Sequence, residues 1–339
     1  MNWLKGSRIR SSRARGCFIA VLLLVASAVA APGRDARAAE ETQGAPKILI
    51  TGASGGLAGE TISAVLGRGV KLEDLILVSR TPENLAAYAS RGAQVRAGDF
   101  DKPESLAAAF AGASRMLLIS TSGGDRVAQH TAAISAARSA GVRHIVYTSF
   151  TNAIEDNPAA VARDHRLTEQ ALQRSGMAYT ILRNQRYSDG LVAEAARAVA
   201  AGEIVSNTGR SKWAPVARQD CAAAAAIVLT TPGHEGKRYE ITGPELINQY
   251  DIAKLVAEIT GRHIRVVEVD DSAFIARAMQ GGASEAAAKL SASFGIATRL
   301  NYLNVKSEAL QILLGRKPLS VREMLLANKA RLMAPPAAR

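Results

Sequence analysis

The segment that most constrains this chain is Lys47-Ile-Leu-Ile-Thr-Gly-Ala-Ser-Gly-Gly-Leu-Ala-Gly-Glu-Thr-Ile62, an apolar run, a glycine-rich turn and then a helical pattern. Within it, Gly52-x-x-Gly55-x-x-Ala58 reproduces a dinucleotide-binding fingerprint with strand before and helix after. Gly52 permits the tight turn, Gly55 lets the backbone approach a pyrophosphate, and Ala58 with Gly59 lets the helix lie close to a sheet. An anion is then expected on the helix N-terminus, where backbone N–H groups have no intrahelical partner. The competing reading is a structural turn that binds nothing.

The remainder of the chain fits that unit. From Pro46 onward, apolar β-branched runs alternate with Ala/Leu-rich helical patterns every 20–30 residues or so, the rhythm of βαβ units on a parallel sheet. Strands are expected at 47–51, 75–79, 93–97, 115–120, 144–149 and 178–182, with helices near 57–68, 82–91, 103–111, 124–140 and 160–175. Beyond Arg183 the rhythm loosens into helices at 189–202, 219–230 and 247–261, with short strands at 238–241 and 263–269. The expected fold class is α/β: a Rossmann-like doubly wound parallel sheet over 46–185, with a smaller C-terminal α+β substrate-covering portion over 186–334 whose chain can cross back to the sheet.

The 339 residues carry a net charge of +12. Residues 1–39 hold seven Lys/Arg and one acid, which is half of that excess; the rest is spread without a run, so no nucleic acid or polybasic membrane partner is expected. The leader itself has basic residues, then the 15-residue apolar stretch Cys17–Ala31, then Pro32, the layout of a cleaved secretory signal. A membrane span needs about 20 residues, so no stable anchor is expected after cleavage, and the reading predicts an exported protein with a flexible tether over 32–45. Loss of Cys17 would leave Cys221 alone, on a small-residue helix pattern that suits an inert buried thiol better than a nucleophile.

Where an NAD enzyme would place an acid on the ribose, the second strand ends Val78-Ser-Arg80-Thr-Pro82, and an Arg there suits the 2′-phosphate of NADPH. NADH remains a possible second cofactor. Asp99 is placed to touch the adenine, and Asp101 could equally cap the next helix. Many proteins with this pattern use a Tyr-x-x-x-Lys pair to exchange a proton with an alcohol or carbonyl. After the fifth strand stands Tyr147-Thr-Ser-Phe-Thr151, with no Lys; Tyr250-Asp-Ile-Ala-Lys254 lies about 100 residues too late and reads as two residues on one helix face. The histidines (130, 144, 165, 234 and 263) show no ligand spacing, and no G-x-S-x-G elbow occurs, so neither a metal nor a serine-hydrolase site is expected. A site without a positioned acid can still deliver hydride to an acceptor that takes its protons from water, as quinones do.

Thr51-Gly-Ala-Ser-Gly-Gly-Leu57, Val78-Ser-Arg80, Leu117-Leu-Ile-Ser-Thr-Ser122, Ile145-Val-Tyr-Thr-Ser149, Tyr179-Thr-Ile-Leu-Arg-Asn184 and Gly233-His-Glu-Gly-Lys-Arg-Tyr239 together resemble the atypical short-chain dehydrogenases of the NmrA-like type. Within these the similarity is to the bacterial NAD(P)H:quinone oxidoreductases of type 2. The resemblance implies a Rossmann domain binding NADPH, a small-molecule acceptor, expected to be a quinone, and a possible homodimer. By position, it implies that Gly52, Ala53, Ser54, Gly55, Gly56 and Leu57 hold the pyrophosphate and Arg80 the 2′-phosphate. Ser120, Thr121 and Ser122 would lie on the cofactor's ribose side. Asn184 and Tyr187 would mark the nicotinamide end, with Gln185, Arg186 and Tyr187 walling the acceptor pocket. Relatives carry Asn-Gly-Trp-Tyr where this chain has Asn184-Gln185-Arg186-Tyr187, so an indole surface is replaced by a cation that either favours an anionic acceptor or points to solvent. NmrA-like proteins also include nucleotide sensors without turnover, a second reading that the missing Tyr/Lys pair equally permits. The relatives it resembles are cytoplasmic, which conflicts with the leader unless cofactor leaves with the folded protein, turnover has been lost, or translation starts downstream.

Overall fold

The structure, a computed structural model, describes residues 46–121 and 123–334. The expected signal and tether, and Ser122, lie outside the described residues. Nine strands are present among these: β1 (Ile48–Thr51), β2 (Leu75–Ser79), β3 (Gln94–Ala97), β4 (Arg115–Leu118), β5 (His144–Phe150), β6 (Ala178–Asn184), β7 (Glu203–Ser206), β8 (Arg238–Ile241) and β9 (Arg265–Glu268). Seven form one parallel sheet in the order β3-β2-β1-β4-β5-β6-β8, and β7 pairs with β9 in a separate parallel ribbon.

The apolar runs are continuous because both faces of the large sheet are covered. In β1, Ile48 and Ile50 enter one core and Leu49 the other; β2 repeats this with Leu75 and Leu77 against Ile76 and Val78. The first core is roofed by α1 (Gly56–Gly67) and by α7 (Arg218–Thr230), through Ala58, Ile62 and Val65 on one and Ala222, Ala225 and Val228 on the other. Side chains this small let the two helices lie close to each other and to the strands. Between them in sequence come α2 (Ala86–Ala89), α3 (Leu106–Phe110), α4 (Arg126–Ser139), α5 (Ala162–Arg174) and α6 (Asp189–Ala201). Of these, α3, α4 and α5 fill the second core with Leu106, Phe110, Ile134 and Leu172.

The C-terminal portion adds α8 (Gln249–Thr260), α9 (Asp271–Gln280), α10 (Glu285–Arg299), α11 (Ala309–Leu314), α12 (Val321–Ala327) and α13 (Lys329–Met333). A third core around Trp213, Ile252, Val256, Leu303, Leu325 and Leu332 joins α6, α8 and α12 with the β7-β9 ribbon. The chain does return to the large sheet: β8 pairs with β6, and Leu310 of α11 joins the first core.

Two local expectations change. The helix expected over 82–91 is a 3-10 turn, Pro82–Leu85, followed only by Ala86–Ala89, since the stretch is closed off by Gly92 at φ +104° and buries little beyond Leu85. β7 was not expected at all: it is four residues long and its pairing partner lies some sixty residues downstream, where no local pattern reveals it.

One buried ion pair ties β5, β6, β8 and α5 together. Arg183 donates from Nε and Nη2 to both oxygens of Glu169 at 2.8 and 2.7 Å, and from Nη1 to Glu240 at 3.2 Å. Ser149 donates to the same Glu169 carboxylate at 2.6 Å. Removing the carboxylate leaves a buried guanidinium partly unpaired, so Glu169→Ala is expected to cost about 3 kcal/mol. Urea unfolding should show the midpoint falling at unchanged slope; an unchanged midpoint would contradict this role for the pair.

Candidate functional site

The strand order reverses between β1 and β4, so their C-terminal ends part and leave a crevice. Thr51 holds its floor: its hydroxyl donates to the Leu117 carbonyl at 3.1 Å and accepts the Ile119 N–H at 3.0 Å, locking the end of β1 to the end of β4. A cleft of about 720 Å³ opens there, bordered by the glycine turn, the ends of β2 and β3, and the loop after β4.

Gly52 turns the chain at φ +58°, a conformation that other residues adopt only under strain. The Ala53 N–H is fixed to the Val78 carbonyl at 3.0 Å and the Gly55 N–H to the Gly52 carbonyl at 2.9 Å. Gly55 is the N-cap of α1, with no side-chain cap and no acidic residue in the first turn. The N–H groups of Gly56 and Leu57 are therefore left to an external anion, which is what a diphosphate requires. Ala53 and Leu57 have buried side chains, so they can contribute backbone only, whereas Ser54 opens onto the cleft with Gly52 and Gly55.

At the other end, the Ser54 and Ser79 hydroxyls are 3.0 Å apart, and the Ser79 hydroxyl accepts the Thr81 N–H at 3.1 Å. These bonds seat Arg80 on the rim, exposed and, among the described residues, without a carboxylate or hydrogen-bond partner. Asp99 also borders the cleft, accepting the Asp101 N–H at 3.1 Å. Asp101 is not a helix cap: its carboxylate accepts from Gln129 Nε2 at 2.8 Å. Gln129 in turn accepts from the Thr121 hydroxyl at 2.6 Å, so one amide side chain ties the loop after β3 to the loop after β4. Ser79, Thr81 and Gln129 have no site role in the sequence reading. The first two flank Arg80 in the strand-end triplet; Gln129 carried no signal because its role depends on two distant loops.

Ser120 and Thr121 are held by their backbone. The Ser120 N–H donates to the Thr148 hydroxyl at 3.0 Å and the Thr121 N–H to His130 Nε2 at 3.1 Å. With Nε2 accepting, the hydrogen-bond network assigns the His130 proton to Nδ1, which lies 3.0 Å from the Thr168 hydroxyl. Tyr147 OH sits 2.8 Å from His165 Nδ1 and 3.4 Å from His130 Nδ1. Tyr147 is thus fully buried under the loop, its hydroxyl held between two imidazoles rather than offered to a substrate, and burial pushes its pKa up.

Asn184, Gln185, Arg186 and Tyr187 lie apart from this cleft, at the end of β6. Asn184 is buried; its Nδ2 donates to Tyr187 OH at 3.2 Å while its Oδ1 has no partner. Gln185 spends its amide on the Leu303 carbonyl at 3.0 Å and the Arg186 N–H at 3.1 Å, and is a buried strut rather than a wall of an acceptor pocket. Arg186 does not point to solvent: its guanidinium lies 5.1 Å from the Phe294 ring centre and 5.6 Å from that of Trp213, within cation-π range. Cys221 is buried on α7, where burial raises the thiol pKa, as an inert cysteine should be. No group of three or more His, Cys, Asp or Glu side chains is placed to hold a metal among the described residues, and none of their helices is long and apolar enough to cross a membrane.

Burial lowers the pKa of His130 to about 4, with Arg126 adding to it, and that of His165 to about 3, with His130 and Arg126 adding. Both are neutral in the fold yet protonate near 6.5 in the unfolded chain, so the unfolded state binds more protons below that pH. Their contribution is complete above pH 6.5 and declines as pH falls. Each is expected to remove about 2 kcal/mol between pH 7 and pH 5. Unfolding titrations at the two pH values should show this loss, with a smaller one in His130→Asn; equal stability at both would contradict it.

Comparison with known proteins agrees with this geometry. Residues 52–232 match the NAD(P)H-binding family model. The chain is 34% identical over 280 residues to quinone oxidoreductase 2 of Escherichia coli, covering 81% of this chain and 96% of that one. It is 30% identical to an NAD(P)H azoreductase of Xenophilus azovorans over 66% of this chain and 77% of the relative. An NmrA-like family domain-containing oxidoreductase of Aspergillus flavus is 28% identical, with 84% and 96% covered. The crystal structure of the Escherichia coli NADPH-dependent quinone oxidoreductase complexed with NADPH superimposes with a TM-score of 0.79 over 82% of this chain and 98% of its own, at 33% identity. The chain therefore belongs to the NAD(P)H-binding, NmrA-like family of oxidoreductases.

Proposed function

We propose that this protein is an NADPH-dependent reductase that passes hydride to a quinone. The observation that carries the reading is the position of Tyr147. No tyrosine stands in the segment after β5, where such a phenol would be expected, and Tyr147, inside β5, has its hydroxyl buried between His165 and His130. A carbonyl-to-alcohol reduction would need that acid; a quinone, whose reduced form is protonated by water, does not. The relatives named for quinone and azo reduction point the same way, since both acceptors are conjugated two-electron sinks.

In this reading the backbone from Gly52 to Leu57 holds the pyrophosphate and Arg80 the 2′-phosphate. Asp99 faces the adenine, and Ser120 and Thr121 lie along the ribose side. Bound NADPH supplies the hydride. Asn184 and Tyr187 orient the partners at the nicotinamide end. Because Asn184 Nδ2 donates to the Tyr187 oxygen, the phenol's own O–H can orient an acceptor oxygen by a hydrogen bond, with no proton transferred.

Purified protein should consume NADPH with benzoquinones and naphthoquinones, and a Gly55→Trp variant, which blocks the turn, should not. A folded, NADPH-binding protein that reduces no quinone would overturn the proposal. Arg80→Glu should weaken NADPH binding roughly 10- to 100-fold, the value of a lost charge-assisted contact plus an added repulsion. NADH binding should change little; equal losses for both would remove Arg80 from the 2′-phosphate site.

A further inference from the structure

The fingerprint turn has a cation beside it that lies 162 residues downstream of its last glycine. Arg218 opens α7, and its backbone N–H is capped by Asp189 Oδ2 at 2.9 Å. Its side chain reaches across to α1. Nε donates to Glu60 Oε1 at 2.8 Å and Nη2 lies 3.4 Å from Asp189 Oδ1. The remaining terminal nitrogen, Nη1, rests over Gly56: a Cβ there would stand 3.1 Å from both Nη1 and Cζ. Gly56 is the first residue of α1, where the unsatisfied N–H groups collect.

We propose that Arg218 is a ligand of the cofactor's diphosphate, contributed by the C-terminal half of the chain to the N-terminal glycine turn. Three facts carry this. The guanidinium is fixed, since two carboxylates hold two of its nitrogens and leave Nη1 directed at the turn. It is in reach, since it occupies the space that a side chain at Gly56 would need, which gives that glycine a reason beyond flexibility. It suits the ligand, since a diphosphate brings two negative charges to a turn whose backbone donors are neutral amides, while Arg80, beyond the end of β2, is assigned to the 2′-phosphate. The side chain is about one-third exposed, so a ligand can reach it. The inference depends on NAD(P)H binding and not on the identity of the acceptor.

Binding measurements on the purified full chain, by fluorescence or calorimetry, separate this role from its alternatives. NADPH and NADH share the diphosphate; adenosine 2′-monophosphate lacks it. Arg218→Ala should weaken NADPH and NADH by the same factor, roughly tenfold or more, and leave adenosine 2′-monophosphate within about twofold. Affinity for NADPH should also become less sensitive to salt. Losses of similar size for all three ligands would mean that Arg218 merely braces the turn, and unchanged dinucleotide binding would mean that it touches nothing; either overturns the proposal. If Arg218→Ala fails to fold, Arg218→Gln and Arg218→Lys give the same reading, because the proposal requires Lys to retain dinucleotide affinity and salt sensitivity that Gln loses.

Discussion

The close approach of α1 to the sheet is the constraint on which the rest depends. Ala58 has no exposed surface, and the facing stretch of α7, Ala222 through Ala226, is all alanine. Larger side chains on either helix would lift α1 away from β1 and turn the N–H groups of Gly56 and Leu57 off the crevice. Because the helix is seated this low, the chain must turn sharply at Gly52, and Thr51 can bridge to β4 with its hydroxyl. The same packing brings the start of α7 beside the start of α1, so the C-terminal half of the chain meets the nucleotide site even though its own core is separate.

A second layer of organisation lies beneath the loop after β4. Here buried polar groups do the work of position: Thr121 rests on His130, His130 on Thr168, and Tyr147 on His165. Each bond is made by neutral groups, which a low-dielectric interior tolerates when every donor finds an acceptor. A phenol at the position of Tyr147 on β5 could face the cleft. In this chain it is turned inward and supports the loop instead, which narrows the chemistry the site can run without abolishing hydride transfer.

Much of this was legible in the sequence for physical reasons. The βαβ rhythm, the glycine turn and the fate of Cys221 are local patterns, and the large sheet follows from them. The place of Arg80 on the rim of the cleft could be read because it sits at a fixed distance from the turn. What escaped depends on contacts between remote segments. β7 is recognised only once β9 is paired with it. Gln129 matters because it joins Asp101 to Thr121. Arg186 offered two open choices in the sequence, and neither anticipated that Phe294 and Trp213, over 20 residues away in either case, would take its guanidinium between them. Gln185 looked like a pocket residue by its place in a motif, but a side chain's neighbours, not its place in the chain, decide whether it faces a ligand.

The central claim is direct hydride transfer from a cofactor held by the glycine turn to an acceptor that needs no acid from the protein. Single-turnover oxidation of NADPH carrying deuterium at the transferred position of C4, with a naphthoquinone as acceptor, tests it most directly. The account predicts a primary isotope effect on NADPH oxidation and a rate that shows no ionisation between pH 6 and 8. A rate that is insensitive to the label at saturating quinone, or that titrates with a protein acid across this range, would contradict it.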